Sequence, residues 1–455
     1  MTESPLDRAL TLMLAGERDA ALRWSAAAIK HDATVASALI LTSRLLADAG
    51  RTDIASEASK LGFARALDAG NLPLAVAAVG DMRQLGLDVT ARLDAIADVF
   101  AAGSMRLADS ADHQPPPLPT VSDFQPLSSH LTGQALVSKA TELVREAVET
   151  YADNANGQEM SEGSSAWPAP LVAPVPLFSD LERADLRAFI ECFDMLTVPT
   201  GQHVVREGEE GAEMFIVARG ELEVQKRVEI DGEESDLTLA RLTNGSIFGE
   251  MALLSRAPRA ASVNACRPSI LLVTRKDTLE DAAVRRPAIG TILAAYCKRR
   301  MVTNLMRTAP LLLALPQSER QQLVERMETR ISERGEKLIE MGSDPKGLHL
   351  IASGQVSVVG VDDSGETFVI STLGPGEVVG EVALVLRRKA SADVVCTHPT
   401  VTLHLRAEEF LDIIREHPAI TAGLYLLAVE REAETRDVLG SAVTQALSAD
   451  DFVLV

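Results

Sequence analysis

The feature that most constrains this chain is a long internal repeat. Three glycines have counterparts later in the chain, and the pairs are Gly208 with Gly342, Gly220 with Gly354, and Gly249 with Gly380. Short runs rich in β-branched residues lie between these glycines, a texture typical of strands joined by turns. The interval is the same for the first two pairs and shorter for the third. The three-residue difference falls most simply in the polar stretch VEIDGEESDL, because hairpin loops tolerate insertions. We therefore predict two homologous β-rich domains in tandem, over residues 173–308 and 309–440, followed by a tail over 441–455.

Residues 1–105 show a helical pattern instead. Apolar residues recur at intervals of three and four, as at Val35, Ala38, Leu41 and Leu45. The string AGERDAA, which starts at Ala15, recurs as AGRTDIA, which starts at Ala49. This interval resembles the period of tetratricopeptide repeats. A helical bundle with a chance repeat is the alternative.

Residues 106–172 are rich in proline, glycine and serine, which predicts a linker. Its QPPPLP run is interpreted as a spacer, in preference to an extended segment that binds in a groove of a partner protein. A helical apolar stripe lies near 134–152, formed by Leu136, Ala140, Leu143, Val144, Ala147 and Tyr151. It predicts an amphipathic helix that either docks or dimerises, or packs on a neighbouring domain.

Composition excludes several functions. The chain has 65 acidic and 44 basic residues, a net charge of -21 and 4% aromatic residues, which disfavours nucleic acid and anionic membranes as partners. The four cysteines are far apart, so neither a disulfide nor a metal site is predicted. No basic leader and no long apolar run occur, so we expect a cytoplasmic protein. No nucleophile motif appears, no cofactor is implied, and His398 and His404 are interpreted as ordinary histidines at strand ends.

The most informative stretch is FGEMALLSRAPRAASV, Phe248 to Val263, named here the first cassette. Gly249 permits close backbone approach, and the short helix-forming run that follows can turn its N–H groups toward an anion. The guanidinium fork of Arg259 suits two phosphate oxygens, while the carboxylate of Glu250 suits a ribose hydroxyl donor. These residues predict a nucleotide with one accessible phosphate. The alternative is that Arg259 forms a surface ion pair.

The first cassette resembles the phosphate-binding cassette of the cyclic nucleotide-binding domain family. The resemblance covers about residues 173 to 438 and implies a cyclic phosphate held by Arg259 and by backbone N–H groups, with the ribose 2′-hydroxyl on Glu250. It also implies a mobile helix over about Ala288 to Met306. Ala260 has no hydroxyl to offer guanine, so the resemblance favours cAMP over cGMP. The candidate ligand-binding residues are Gly249, Glu250, Met251, Ala252, Arg259, Ala260, Ala261 and Ser262.

The second copy, VGEVALVLRRKASADV from Val379 to Val394, is named the second cassette and departs from this pattern. The ungapped counterpart of Arg259 is Ala390. Losing a charge-assisted contact costs about 1.5 to 3 kcal/mol, or roughly 10- to 150-fold in affinity, so weak or absent binding is predicted. The alternative is binding in an altered geometry, with Lys389 as a point charge. The residues of this weaker candidate site are Gly380, Glu381, Val382, Ala383, Lys389, Ala390 and Ser391.

The predicted fold class is α+β multidomain: an all-α repeat-like domain, then two tandem β-rolls of the jelly-roll-like, double-stranded β-helix type with flanking helices. The domain order resembles the regulatory subunit of cAMP-dependent protein kinase, although residues 106–172 contain no Arg-Arg-x-Ser/Ala segment. The predicted function is a non-catalytic cyclic-nucleotide sensor that signals to a protein partner through its helical domain, with a homodimer also possible. The alternatives are a scaffold that binds no ligand and an inhibitor similar to a kinase regulatory subunit.

Overall fold

The described part of the chain forms two units. The structure, a computed structural model, describes residues 4–109, 124–159, 171–230, 233–255, 258–361, 365–416 and 422–433. The predicted proline run and the tail over 441–455 lie outside these ranges. The first unit comprises Met1–Glu207, Glu213–Glu250 and Ala261–Ala294, and the second comprises Gly208–Ala212, Met251–Ala260 and Ala295–Val455.

The first unit begins with an all-helical region. Its helices are α1 (Pro5–Leu14), α2 (Arg18–His31), α3 (Ala36–Asp48), α4 (Thr52–Asp68), α5 (Leu72–Gln84) and α6 (Thr90–Phe100). Ser4 caps α1 by accepting a hydrogen bond from the N–H of Asp7, as expected for a serine at a helix start. Gly16 and Gly50, the glycines of the two copies of the repeated string, both have φ of 79° in the turn that ends a helix. The two copies of the string therefore form the same backbone turn, while the tetratricopeptide assignment stays a prediction.

Part of the predicted linker is folded onto this region. Helix α7 (Gly133–Glu159) packs against α2 and α4. Its buried residues include five of the six members of the predicted stripe: Leu136, Ala140, Leu143, Val144 and Ala147. The hydroxyl of Tyr151 donates a hydrogen bond to Asp68. Of the alternatives left open by the sequence, packing on a neighbouring domain of the same chain is the one observed.

The first β-roll contains eight strands in two antiparallel sheets. Its elements in chain order are α8 (Arg183–Ile190), β1 (Asp194–Val198), β2 (His203–Val205), β3 (Glu213–Arg219), β4 (Leu222–Ile230), β5 (Glu233–Leu242), β6 (Ile247–Phe248), α9 (Met251–Ser255), β7 (Ser262–Ala265), β8 (Ser269–Arg275), α10 (Lys276–Arg285) and α11 (Pro287–Thr308). The sheets have the orders β1-β8-β3-β6 and β2-β7-β4-β5. Buried residues from both sheets, such as Phe215, Leu222 and Leu271, form the core between them. Helix α5 of the helical region contacts β1, β3 and β8.

The second β-roll repeats this topology. Its elements are α12 (Pro310–Leu313), α13 (Gln317–Glu325), β9 (Glu328–Ser332), β10 (Lys337–Ile339), β11 (Gly347–Ser353), β12 (Val356–Val361), β13 (Thr367–Leu373), β14 (Val378–Val379), α14 (Glu381–Val385), β15 (Asp393–Cys396), β16 (Thr400–Arg406) and α15 (Ala407–Glu416). The sheet orders, β9-β16-β11-β14 and β10-β15-β12-β13, correspond strand by strand to those of the first β-roll. A further helix, named here the C-terminal helix, covers residues 422–433.

The two β-rolls differ in length at one hairpin. Strands β4 and β5 have 9 and 10 residues, whereas β12 and β13 have 6 and 7. This is the hairpin in which the sequence placed the three-residue difference. The predicted fold class, a helical region followed by two tandem β-rolls, is confirmed. Among the described residues, no helix has the length and apolar character needed to cross a membrane.

Candidate functional site

The backbone of the first cassette fixes the position of Arg259. Its N–H donates to the carbonyl of Glu209 and its carbonyl accepts from the N–H of Gly208, both at 2.9 Å. Arg259 is only 8% exposed. A Cβ on Gly211 would lie 2.6 Å from Nη2 of Arg259, so glycine is the residue that leaves room for this guanidinium. Two hydrogen bonds therefore fix the backbone of Arg259, and its guanidinium lies beside Gly211.

The other residues of the first cassette are divided between the two units along the chain. In the first unit, Gly249 has φ of 77°, which favours glycine, and Glu250 is 4% exposed. The hydroxyl of Ser262, also in the first unit, accepts a hydrogen bond from the N–H of Glu207 at 3.0 Å.

In the second unit, Met251 and Ala252 begin α9, and Met251 packs on that unit's apolar core. Ala260 is exposed, while Ala261, the next residue of the first unit, is half-buried. Helix α9 has five residues, in agreement with the short helix expected from the sequence.

In the second cassette, Ala390 occupies the backbone position of Arg259. Its N–H donates to the carbonyl of Ser343 at 3.0 Å, and its carbonyl accepts from the N–H of Gly342 at 2.8 Å. Gly342 and Ser343 are the counterparts of Gly208 and Glu209, so the hydrogen-bonding pattern is the same in both β-rolls. The register is therefore ungapped, and a methyl group stands where the first cassette has a guanidinium.

Most residues of the weaker candidate site line one cavity of about 70 Å³ in the second β-roll. These residues are Gly380, Glu381, Val382, Ala383, Ala390 and Ser391. The remaining walls are mainly apolar and include Val358 and Leu373. Lys389 is exposed and does not line the cavity. It therefore does not supply a point charge inside the pocket in this structure.

A cation does reach this cavity, from the C-terminal helix. Nη1 of Arg431 donates to Oε1 of Glu381 at 2.6 Å and also to the carbonyl of Val378, and Nη2 lies 3.6 Å from Glu377. Glu381 is 1% exposed. Burial raises the pKa of its carboxyl group, and the charge of Arg431 opposes that rise. The glutamate of the second cassette is thus already bonded to a guanidinium within its own domain.

The missing arginine leaves space beside Ala390. A second cavity, of about 140 Å³, is lined by Ala390, Gly380 and Pro345 among others. Pro345 is the counterpart of Gly211, the residue on which Arg259 lies in the first β-roll. The second β-roll therefore lacks both the arginine and the glycine that makes room for it.

The structure corrects the interpretation of one histidine. His404 was expected at a strand end, but it lies within β16, is 2% exposed and is paired with His349 on β11. The two rings are 4.4 Å apart between centroids. Burial and the neighbouring His404 lower the pKa of His349 to about 3, so both rings are neutral near pH 7. Within the described ranges, no cluster of three His, Cys, Asp or Glu side chains could hold a metal ion.

Sequence reasoning missed Arg431, although a signal was present. Arg300 follows Glu250 at the same interval at which Arg431 follows Glu381. His349 was missed because its partner, His404, lies on another strand far along the chain, and the two meet only through strand pairing. The interval between the glutamate and the arginine could be read from the repeat. The contact between His349 and His404 could be identified only once the pairing of their strands was known.

Comparison with known proteins identifies both β-rolls. A family profile described as the cyclic nucleotide-binding domain matches residues 195–286 and 329–417. Each range runs from the first strand of a β-roll to the helix after its last strand, and each includes one cassette. The chain contains two cyclic nucleotide-binding domains in tandem. We refer to the first and second β-rolls as the first and second domains from here on.

Two relatives of this chain are both named as regulatory subunits of cAMP-dependent protein kinase. The chain is 29% identical over 232 residues to the cAMP-dependent protein kinase type II regulatory subunit of Drosophila melanogaster, covering 51% of this chain and 57% of the relative. It is 29% identical over 208 residues to the cAMP-dependent protein kinase regulatory subunit of Yarrowia lipolytica, covering 46% of this chain and 50% of the relative. The chain thus spans about half the length of these relatives, which are named as regulatory subunits.

Among solved structures, the chain is similar to the regulatory domain of Toxoplasma gondii PKA crystallised with cAMP. The sequences are 23% identical, and the match covers 56% of this chain and 92% of that one. The TM-score is 0.27, which is too low to support a shared overall structure.

Proposed function

We propose that this chain is a non-catalytic regulatory protein whose first domain binds a cyclic nucleotide, with cAMP preferred over cGMP. The observation that carries the proposal is the placement of Arg259, which is buried and held by two backbone hydrogen bonds. A guanidinium presents two parallel N–H groups, which suit two oxygens of a cyclic phosphate. The buried carboxylate of Glu250 would accept a hydrogen bond from the ribose 2′-hydroxyl.

The second domain is proposed to bind cyclic nucleotides weakly or not at all. Ala390 offers a phosphate no charge, and the exposed Lys389 does not line the pocket. In addition, Glu381 is hydrogen-bonded to Arg431, so a ribose hydroxyl would have to share or replace that interaction. The absence of a guanidinium at position 390 is the difference from the first domain on which this proposal rests.

The signal is proposed to pass through α11, which follows the first domain. A ligand that binds more tightly to one placement of this helix shifts the population toward that placement. The change would alter what a protein partner meets on the chain, including on the helical region. The names of the relatives make a protein kinase the first partner to test. Because residues 106–172 contain no Arg-Arg-x-Ser/Ala segment, inhibition of a kinase would need another contact. A cytoplasmic location and a homodimer are parts of the same proposal.

The experiment that tests ligand binding is calorimetric titration of cAMP and cGMP into the intact chain and two variants. Arg259→Ala removes the buried guanidinium, and we expect affinity for cAMP to fall by about 10- to 150-fold. Lys389→Ala is the matched control, since it removes a positive charge from the other cassette at an exposed position, and we expect no change. Absence of binding of both nucleotides to the unmodified chain would contradict the proposal and leave a protein-interaction scaffold as the alternative.

Base preference has a test of its own. Ala260 is exposed, so a larger side chain is accommodated there without repacking the core. We expect Ala260→Thr to strengthen cGMP binding while leaving cAMP binding within about twofold, because the new hydroxyl can hydrogen-bond to guanine. Equal effects on both nucleotides would show that this residue does not set the preference.

A further inference from the structure

The first unit contains a cavity of about 430 Å³ that is separate from its cassette. It lies where the helical region meets the first domain, lined by α1 to α5 on one side and by residues such as Arg219, Asn244 and Arg267 on the other. Its volume is within the range of small-molecule sites in proteins, roughly 300 to 1,000 Å³. None of the residues of the first cassette lines it. The cavity is therefore a candidate for a second, independent ligand.

Two buried polar groups on its walls have no hydrogen-bond partner within the described chain. Asn244 is 5% exposed, and its Oδ1 is an unpaired acceptor. Nε of Arg65 is an unpaired donor, and its guanidinium lies 4.5 Å from the ring centroid of Tyr151. A buried polar group without a partner destabilises the fold, so a ligand that supplied both partners would remove that cost.

The charge of the cavity favours an anion. Three guanidinium groups line it, those of Arg65, Arg219 and Arg267. Asp7 is the only buried carboxylate on the described walls, and it pairs with both Arg219 and Arg267. Asp32 is exposed. One carboxylate between two guanidinium groups leaves a net positive charge at that wall, and Arg65 adds a second.

An aromatic surface completes the site. The rings of His31 and Phe124 are stacked with centroids 5.4 Å apart, and both residues line the cavity. Alanine, valine and leucine side chains, such as Val35 and Leu74, form much of the remaining wall. Such a surface favours a flat apolar body over a fully hydrated ion.

We propose that this cavity binds a small aromatic carboxylic acid that also carries a hydrogen-bond donor. The carboxylate would lie at Arg65, the donor would bond to Oδ1 of Asn244, and the ring would lie along Phe124 and His31. Because the walls come from both the helical region and the first domain, the ligand would strengthen the attachment of one to the other. This proposal does not depend on nucleotide binding at the first cassette.

The test uses 4-hydroxybenzoate as the probe, titrated into the intact chain and followed by ligand-observed NMR. We expect saturable binding that is at least tenfold weaker for 4-hydroxybenzamide, which lacks the charge, and weaker for benzoate, which lacks the donor. Arg65→Met removes the guanidinium and keeps a long unbranched side chain, and Asn244→Leu removes the acceptor and keeps the approximate size of the side chain. Each should weaken binding at least tenfold. Arg18→Met, on an arginine that is 65% exposed and outside the cavity, is the control and should leave binding unchanged.

Two results would overturn the proposal: no saturable binding of 4-hydroxybenzoate, or equal affinity in the Arg65, Asn244 and Arg18 variants. Saturating cAMP and the Arg259→Ala variant distinguish this site from the first cassette, since neither should change binding of the probe. Competition by cAMP would mean that the probe occupies the nucleotide site, and would also overturn the proposal.

Discussion

The two domains share a backbone design but differ at three sets of counterpart residues. Arg259 in the first corresponds to Ala390 in the second, and the arginines at 219 and 267 correspond to Ser353 and His398. The apolar pair Phe215 and Val273, which face each other across β3 and β8, corresponds to His349 and His404. Strand order and cassette hydrogen bonds are the same in both domains. The comparison teaches that the β-roll tolerates changes in side chains to which we assign ligand binding, anchoring and pH response.

The largest expected effect concerns anchoring of the helical region, in which the described residues involve two arginines of the first domain. Asp7 is 2% exposed and pairs with Arg219 at 2.7 Å and with Arg267. Removing one partner of a buried ion pair costs about 3 to 5 kcal/mol, so Asp7→Ala should destabilise the first unit by that amount. Chemical denaturation monitored by hydrogen exchange in α1 and β3 measures it. Asp53→Ala, which removes an exposed partner of Arg51, is the control and should cost far less.

The same anchor has a predicted pH dependence. Burial alone would raise the pKa of Asp7. The charge of Arg219 and the hydrogen bonds of Ser4 and Arg267 outweigh burial and hold the pKa below its usual value of 3.8. The ion pair therefore contributes stability above about pH 4 and loses that contribution as the pH falls further. Protection of α1 from exchange should decrease below pH 4 in the unmodified chain and show no such step in Asp7→Ala.

The next largest effect is expected from substitutions that give the second cassette the residues of the first. Ala390→Arg restores the guanidinium, and Pro345→Gly supplies the space that Gly211 gives Arg259. We expect the double variant to gain about 10- to 150-fold in cAMP affinity at the second domain, and Ala390→Arg alone to gain less. Titration in an Arg259→Ala background isolates this site. A double variant that still binds nothing would contradict the account in which the missing guanidinium keeps the second site from binding.

The smallest expected effect is on acid stability. His349 has a pKa of about 3, so unfolding exposes a histidine that takes up a proton below its ordinary pKa of 6.5. The second domain should lose about 1 kcal/mol at pH 6 from this residue. Replacing the pair with the residues of the first domain, His349→Phe with His404→Val, should remove this dependence. His203→Phe, at an exposed histidine of the first domain, is the control and should leave the acid response unchanged.

The repeat made much of the architecture predictable. The glycine intervals and β-rich runs indicated two copies of one β-roll, and the residue count between glycines placed the longer hairpin at β4 and β5. The cassette was predictable because its residues are consecutive in sequence. Ala390 could be aligned with Arg259 without a gap, and the backbone has the same hydrogen bonds at both positions.

Contacts between distant parts of the chain were not predictable from local patterns. Arg431 reaches Glu381 from a separate helix near the end of the described chain, and the Asp7 anchor joins α1 to strand β3 of the first domain. The apolar stripe on α7 indicated a buried face but not which surface covers it, since periodicity carries no information about the partner. Such contacts depend on how elements pack, which a single sequence does not specify.

The central claim is that one chain holds one cyclic nucleotide, in the first domain. Equilibrium dialysis of the intact chain against labelled cAMP, over concentrations from well below to 100 times the dissociation constant of the tight site, separates tight from weak sites in the binding curve. We predict one tight site per chain, weakened about 10- to 150-fold in Arg259→Ala and unchanged in Lys389→Ala. Two equally tight sites per chain, or a tight site that survives Arg259→Ala, would contradict the claim.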